Sequence, residues 1–441
     1  MLGRSVIFLV LTLMLACIAR VTAEDMPAYY DPGADGEALI EPPHETVQVT
    51  LAGDKELLKI SPYFYGVNIH PIPASLAFRY PELHRILKPD VIRIMSKMRR
   101  YWTREGEEVT THSRYLSESI DDGQGGIKQG PWNWDTLDDL IVAIKGVGAE
   151  PYIALGFGCP DWLAEKPGMR LGRVKPERFG EYADFMAEIV QHLNTDKKHE
   201  VKWVTVDNEP ENIQYDIGDY RDLFTQAKGR IKTVDQSVQI GGPVTGYAYW
   251  TQSDGTRLSF SGSTTWFAEQ KTDFDFIDWH IYSTNADSVI KTAQFLKTVW
   301  PDKKLILSEL NRDWRYGEGR EKSTQRNWSW ASVSWLARSY DMLQQEGVYQ
   351  VHYFCTNNGI FGLFDYHFTK TAPNYQLFYL MTNVMGRERV EASTDHDAIG
   401  VIATRQDHGE YALMLYNRAN APVKVLVPNF SSDYSYRVYD Y

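Results

Sequence analysis

Two glutamates close apolar runs of the same kind. The first run reads Trp203-Val204-Thr205-Val206-Asp207-Asn208-Glu209-Pro210, the second Leu305-Ile306-Leu307-Ser308-Glu309-Leu310-Asn311. A carboxyl group at the end of a buried strand, held before a rigid proline, is partly desolvated. Glu209 is therefore expected to have a raised pKa, which suits it to protonating a leaving-group oxygen. Asn208 beside it can bond a sugar 2-hydroxyl, a contact that strengthens as oxocarbenium character develops. Paired carboxyls of this kind cleave glycosidic bonds. A retaining enzyme needs them only about 5–5.5 Å apart, one as nucleophile and one as acid then base. One hundred residues separate Glu209 from Glu309, which leaves room for several secondary-structure units between them.

Something must bring the two together, and the chain's periodicity supplies it. Short β-branched apolar runs fall at 64–69, 90–95, 150–155, 201–207, 237–242, 274–281, 303–308 and 349–354. Helical periodicity occupies 136–146, 176–193, 220–234, 286–299 and 323–346, with Pro176 at a helix start and Gly146 and Gly148 at a stop. Eight β-then-α units within about 330 residues match a (β/α)₈ TIM barrel, whose active site lies at the C-terminal ends of its strands. Strands four and seven then carry Glu209 and Glu309 to facing sides of the barrel mouth. No glycine-rich phosphate loop follows the first strand, which argues against an open dinucleotide-binding sheet.

The motifs around this frame resemble the clan A glycoside hydrolases, the retaining superfamily with its glutamates on strands four and seven. The resemblance rests on Asn208-Glu209-Pro210, Glu309, Phe64-Tyr65-Gly66-Val67-Asn68, Arg93, Pro160-x-Trp162, Gly241-Gly242-Pro243 and His280-x-Tyr282. It spans about residues 61–388 and is nearest to the β-xylosidase and α-L-iduronidase family, whose members carry a β-sandwich beside the barrel. It implies that Asn208 binds the 2-hydroxyl and that Tyr282 hydrogen-bonds the nucleophile Glu309. It further implies that Arg93 charge-compensates Glu309 and that His280 lies in the sugar site or beside Tyr282. Two departures stand out. Asp207 adds a charge near the acid, and strand eight ends Tyr353-Phe354-Cys355 where relatives commonly place a tryptophan under the sugar.

Other residues of the catalytic face have readings of their own. Trp102, Trp162, Trp250 and Trp314 are candidate stacking platforms for sugar rings. Lys97, Arg99, Arg100 and Arg104 follow strand two, and Arg312, Arg315, Arg320 and Lys322 follow strand seven. These cations either bind an anionic sugar such as a uronate, or pair with Glu105, Glu107, Glu108, Asp313 and Glu318 in the same loops. His70, His280 and His352 fall near strands one, six and eight. No His-x-His pair accompanies them, so the expectation is no catalytic metal and no cofactor.

The whole chain is acidic, with a net charge of −12 over 441 residues, and it has no basic cluster interleaved with aromatics; both argue against nucleic acid. Arg4 followed by the apolar run 6–17 and Val21-Thr22-Ala23 reads as a signal peptide at 1–23, which directs the chain to secretion or the periplasm. The run is too short to span a bilayer. Lipoprotein anchoring through Cys17 is the weaker alternative, because Met14 stands three positions before the cysteine. Without Cys17, Cys159 and Cys355 remain, either paired or as two buried thiols. Asn327-Trp328-Ser329 and Asn429-Phe430-Ser431 are glycosylation sequons, meaningful only in a eukaryotic secretory pathway. Outside the barrel, residues 24–60 form a leader with one period-two strand at 46–51, and 389–441 read as short strands. Together they make a small β-sandwich. The expected partner is a poly- or oligosaccharide. Transglycosylation by the same glutamates, or carbohydrate binding without catalysis, are the alternatives.

Overall fold

The computed structural model describes residues 6–10, 40–69, 74–95, 101–102, 108–109, 117–156, 158–167, 172–246, 249–314, 324, 326–365, 367–406, 409–427 and 436–438. Eight parallel strands close into a barrel. They are β1 (Tyr65–Asn68), β2 (Val91–Met95), β3 (Glu150–Ala154), β4 (Trp203–Thr205), β5 (Gln239–Thr245), β6 (Phe276–Tyr282), β7 (Lys304–Asn311) and β8 (Gln350–Tyr353). β8 pairs with β1 through His352 and Gly66, which completes the circle. Every run read as a barrel strand forms one, with ends displaced by a few residues. β5 and β7 show the largest differences, each running three residues past its expected end, to Thr245 and through Glu309 to Asn311.

Helices cover the barrel in the intervals between strands. Ile217–Val234 begins where the Asp216 side chain accepts the backbone N–H of Gly218 and Asp219. Phe179–Val190 is helical because Phe179, Tyr182, Ala183, Met186 and Val190 recur at helical spacing and are buried against the barrel. Apolar residues of the strands' outer faces and the helices' inner faces form one continuous core. Such a core is stabilised by roughly 25 cal/mol per Å² of apolar surface removed from water.

The second unit is the smaller β domain expected beside the barrel, a curled sheet. Its order is Val425–Leu426, Val47–Lys59, Glu388–Thr394, Ile399–Arg405, Tyr411–Asn417, Val6–Val10, Tyr436–Val438. The N-terminal strand joins C-terminal ones as expected, but it runs 13 residues, and its principal partner Glu388–Thr394 begins at the expected barrel limit. Period-two alternation divides the faces: Ile399, Val401, Ala403, Tyr411, Leu413 and Leu415 fill the sheet's own core. Ile402, Ala412 and Met414 join the barrel core instead. Val6–Val10, which lies parallel to Tyr411–Leu415, falls inside the expected signal peptide. The rest of that segment, including Cys17, lies outside the described residues. Among the described residues no helix is long and apolar enough to cross a membrane.

Candidate active site

β4 delivers Glu209 through an unusual piece of backbone. Asp207 and Glu209 both adopt left-handed conformations, with φ of 69° and 48°. Non-glycine residues hold such angles only where the surroundings enforce them. Here the enforcing groups are visible. The fully buried Asp207 carboxylate accepts hydrogen bonds from the Gly158 N–H (3.0 Å), the Asn208 N–H (2.9 Å) and the Tyr182 hydroxyl (3.3 Å). A Cβ at Gly156 would lie 2.7 Å from the Asp207 Cα, so only glycine lets the β3 loop approach this closely. The Glu209 N–H donates to the Val244 carbonyl at the end of β5. The charge expected to perturb the acid thus fixes the loop that presents it.

β7 aims Glu309 by a bulge. Trp279 pairs with Leu307 and His280 with Glu309, so Ser308 is left without a partner across the ladder. Both oxygens of the buried nucleophile candidate are then held. Arg93 Nη1 donates to Oε1 at 2.8 Å and the Tyr282 hydroxyl donates to Oε2 at 2.7 Å. The same guanidinium reaches Asn68 Oδ1 (3.0 Å) and Asn208 Oδ1, joining strand one to the acid's loop. Asn68 Nδ2 in turn donates to the Ser308 carbonyl at 2.8 Å, inside the bulge. His280 Nδ1 shares a hydrogen bond with Glu209 Oε1 (2.9 Å) and lies 3.6 Å from Glu309 Oε2. Asn212 Nδ2 donates to the other Glu209 oxygen at 3.0 Å. One side-chain oxygen from each glutamate and a His280 nitrogen all lie within 4.8 Å of one another.

The electrostatics correct one expectation. Burial does push the Glu209 carboxyl up, but the hydrogen bond and charge of His280 outweigh it, helped by Asn212 and Arg93. The net result is a pKa below the usual glutamate value, not above it. The physical reason is that a quarter of the Glu209 side chain stays exposed while the fully buried His280 faces it. Tyr282 is pushed far up by burial and by Glu309, so it remains a phenol that donates to the nucleophile. Glu209, His280 and Glu309 form a donor group close enough to hold a metal ion. Both Glu309 oxygens, however, are already taken by Arg93 and Tyr282.

The aromatic candidates separate cleanly. Trp162 is 5% exposed and packs edge-on against Phe185, and Trp250 is fully buried against Phe267 and Tyr220. Neither offers an open ring face, so both are core residues rather than platforms. Trp314 is 63% exposed. Trp102 falls in a short strand, Tyr101–Trp102, whose side chains lie outside the described residues. Arg312 is buried and donates to the Arg326 carbonyl, while Arg326 pairs with Asp313 at 2.9 Å. His70 and the other loop cations lie outside the described residues, within 70–73, 96–100, 103–107 and 315–323. His352 sits inside the barrel, bonded to Gln350, and burial drives its pKa far down. Cys159 and Cys355 are two buried thiols, not joined in a disulfide. Asn68, Asn212 and Asp278 had no role from sequence. Asp278 carried a signal nonetheless, a carboxylate two residues before His280 and so on the same strand face.

Residues 100–306 match the model for the glycosyl hydrolases of family 39. That span contains Glu209, His280 and Tyr282 but stops short of Glu309. No curated protein matches the chain in sequence. Among solved structures, a β-xylosidase from Caulobacter crescentus CB15 aligns with a TM-score of 0.59 at 16% identity, over 82% of this chain and 75% of that one. A family 39 enzyme from Xanthomonas axonopodis pv. citri gives 0.59 at 17% identity, over 84% and 74%. An α-L-arabinofuranosidase from Thermotoga maritima gives 0.59 at 14% identity, over 88% and 89%. At these identities the likeness speaks for the fold, a barrel with a companion β domain. Over residues 100–306 the chain is therefore similar to the glycosyl hydrolases of family 39, a family of clan A, and it is a glycosyl hydrolase.

Proposed function

We propose that the protein is an exported retaining glycosidase that releases pentose units from a poly- or oligosaccharide by double displacement. The observation that carries the reading is the approach of the two glutamates, which offer oxygens within 4.8 Å of each other. An inverting pair stands about 6.5–9.5 Å apart to admit a water between carboxylate and sugar. Glu309, ionised beside Arg93, attacks the anomeric carbon, and Glu209 protonates the departing oxygen. Glu209 then takes a proton from the water that hydrolyses the ester. Asn208, whose carbonyl oxygen accepts from Arg93, keeps its amide N–H groups for a sugar hydroxyl. Pentosides are chosen because the structural neighbours include a β-xylosidase and an α-L-arabinofuranosidase. The burial of Arg312 removes one support for an acidic substrate. Export rests on residues 1–23; cleavage after Ala23 would also remove the strand Val6–Val10.

The test is hydrolysis of aryl β-D-xylosides and aryl α-L-arabinofuranosides by wild type, Glu209→Ala and Glu309→Ala. The expected result is activity on one series, abolished by Glu309→Ala. Glu209→Ala should retain most of its kcat/KM, which reports the first step, only on glycosides with an activated leaving group, which needs no acid, while its kcat falls because water attack has lost its base. Equal loss in both variants for every leaving group would contradict the assignment of roles.

A further inference from the structure

Beneath the site lies a buried carboxylate that the reaction as described does not use. Asp278 is wholly enclosed in the barrel, on the same face of β6 as His280 and Tyr282. Its two oxygens are each met by a hydroxyl: Ser308 Oγ donates to Oδ1 at 2.5 Å, and the Tyr152 phenol donates to Oδ2. Burial pushes the Asp278 carboxyl up, and the charge of Arg93 is the first of the influences that pull it back down, followed by His280 and the two hydroxyl donors that favour the ionised form. Tyr152 meets both charges, its hydroxyl on Asp278 and its ring 5.7 Å from the Arg93 guanidinium carbon. Ser308 is the bulge residue next to Glu309, and its carbonyl holds Asn68, which in turn holds Arg93. Asp278 therefore touches Ser308, the residue before the nucleophile, and Tyr152, over whose ring the Arg93 guanidinium lies.

Charge accounting gives it a use. As the bond from Glu309 to the anomeric carbon forms, the bond to the leaving oxygen breaks. That oxygen keeps the electron pair and takes the Glu209 proton. The negative charge thus moves from Glu309, beside Arg93, to Glu209, beside His280. Arg93 is fully buried, and a buried cation that loses its anion is strongly disfavoured. We propose that Asp278 is a positioning residue, a permanent second counter-charge that keeps Arg93 ionised and in place while Glu309 is esterified. The proposal rests on the retaining reading above.

Glu309→Gln imitates the neutral ester in the uncharged side chain and needs no substrate, so a stability cycle with Asp278→Asn tests the sharing directly. The account expects Asp278→Asn to lower the thermal midpoint at least twice as far in the Glu309→Gln background as in wild type. An equal or smaller loss overturns it, since a merely structural aspartate is indifferent to the charge on Glu309. Ser308→Ala, which keeps the carboxylate but removes a donor, carries the same comparison should Asp278→Asn not fold. A second measurement separates the steps, using 2,4-dinitrophenyl 2-deoxy-2-fluoro-β-D-xyloside as the probe. Asp278→Asn should slow adduct formation at least tenfold and leave adduct breakdown as fast or faster. Equal slowing of both steps contradicts the proposal. Failure of wild type to form an adduct on Glu309 while it hydrolyses the parent xyloside would count against the retaining glycosidase reading instead, and the stability cycle would still report whether Asp278 and Glu309 share Arg93.

Discussion

The two ends of the barrel are built from the same eight strands and have opposite characters. At the N-terminal end, Tyr63 meets Trp203 edge-on at 4.7 Å and Tyr349 at 5.9 Å, over a layer of Val91, Tyr152, Phe276 and Ile306. Lys202 and Lys304 lie over these rings, with the Lys304 Nζ 4.1 Å from the Tyr349 centroid. At the C-terminal end the buried residues are Asn68, Arg93, Asn208, His280 and Glu309. There the backbone is strained at Asp207 and Glu209, and Arg93 Nε and His280 Nε2 have no hydrogen-bond partner among the described residues. One end gains stability from aromatic packing, whereas the other holds charges and strain that only a reaction makes useful. The division follows the rule that barrel chemistry sits where the strands end.

Substitutions at the two ends should therefore fail in different ways. Arg93→Met should have the largest effect, because it strips the counter-charge from Glu309 and unties Asn68 and Asn208 together. Removing one partner of a buried pair costs about 3–5 kcal/mol. Denaturant unfolding should show that loss, and kcat/KM on the best substrate should fall by at least about 10³-fold, equivalent to roughly 4 kcal/mol. Trp203→Ala, at the other end, should cost about 3–5 kcal/mol of stability by emptying a large packed volume. Its kcat/KM per folded molecule should stay at the wild-type value. A matching loss of activity after Trp203→Ala would dissolve the distinction between the ends.

A smaller effect sharpens the comparison within the catalytic end. Glu209 must be protonated to act as an acid, so kcat/KM falls as pH rises through its pKa in the free enzyme. His280 lowers that pKa and burial raises it. Removing the imidazole leaves burial to dominate, and His280→Asn should move the alkaline limb of the pH profile to higher pH. A limb that stays in place, or moves lower, would show that His280 does not control the proton of Glu209.

Much of this arrangement is written locally in the chain. The eight strands announce themselves as short β-branched runs, and Glu209 and Glu309 stand at their ends. Arg93, Asn208 and Tyr282 reach the positions implied by the resemblance because strand alternation fixes which side chains face the barrel mouth. What was not legible depends on distant parts meeting. Trp162 and Trp250 look like Trp314 in sequence, yet helices carrying Phe185 and Phe267 cover the first two. The sign of the Glu209 shift turns on His280, seventy-one residues away. The bulge at Ser308 lengthens β7 beyond its apolar run, and no local pattern foretells a residue left out of a parallel ladder.

The central claim is that Glu309 forms a covalent bond to the sugar while Glu209 serves as acid and base. The most direct measurement is peptide mass spectrometry of the enzyme quenched while turning over 2,4-dinitrophenyl 2-deoxy-2-fluoro-β-D-xyloside. The account predicts one fluoroxylosyl group, carried on the peptide that contains Glu309 and absent from Glu309→Gln. Turnover of the parent xyloside with no adduct from the fluorosugar, or an adduct on Glu209, would contradict it.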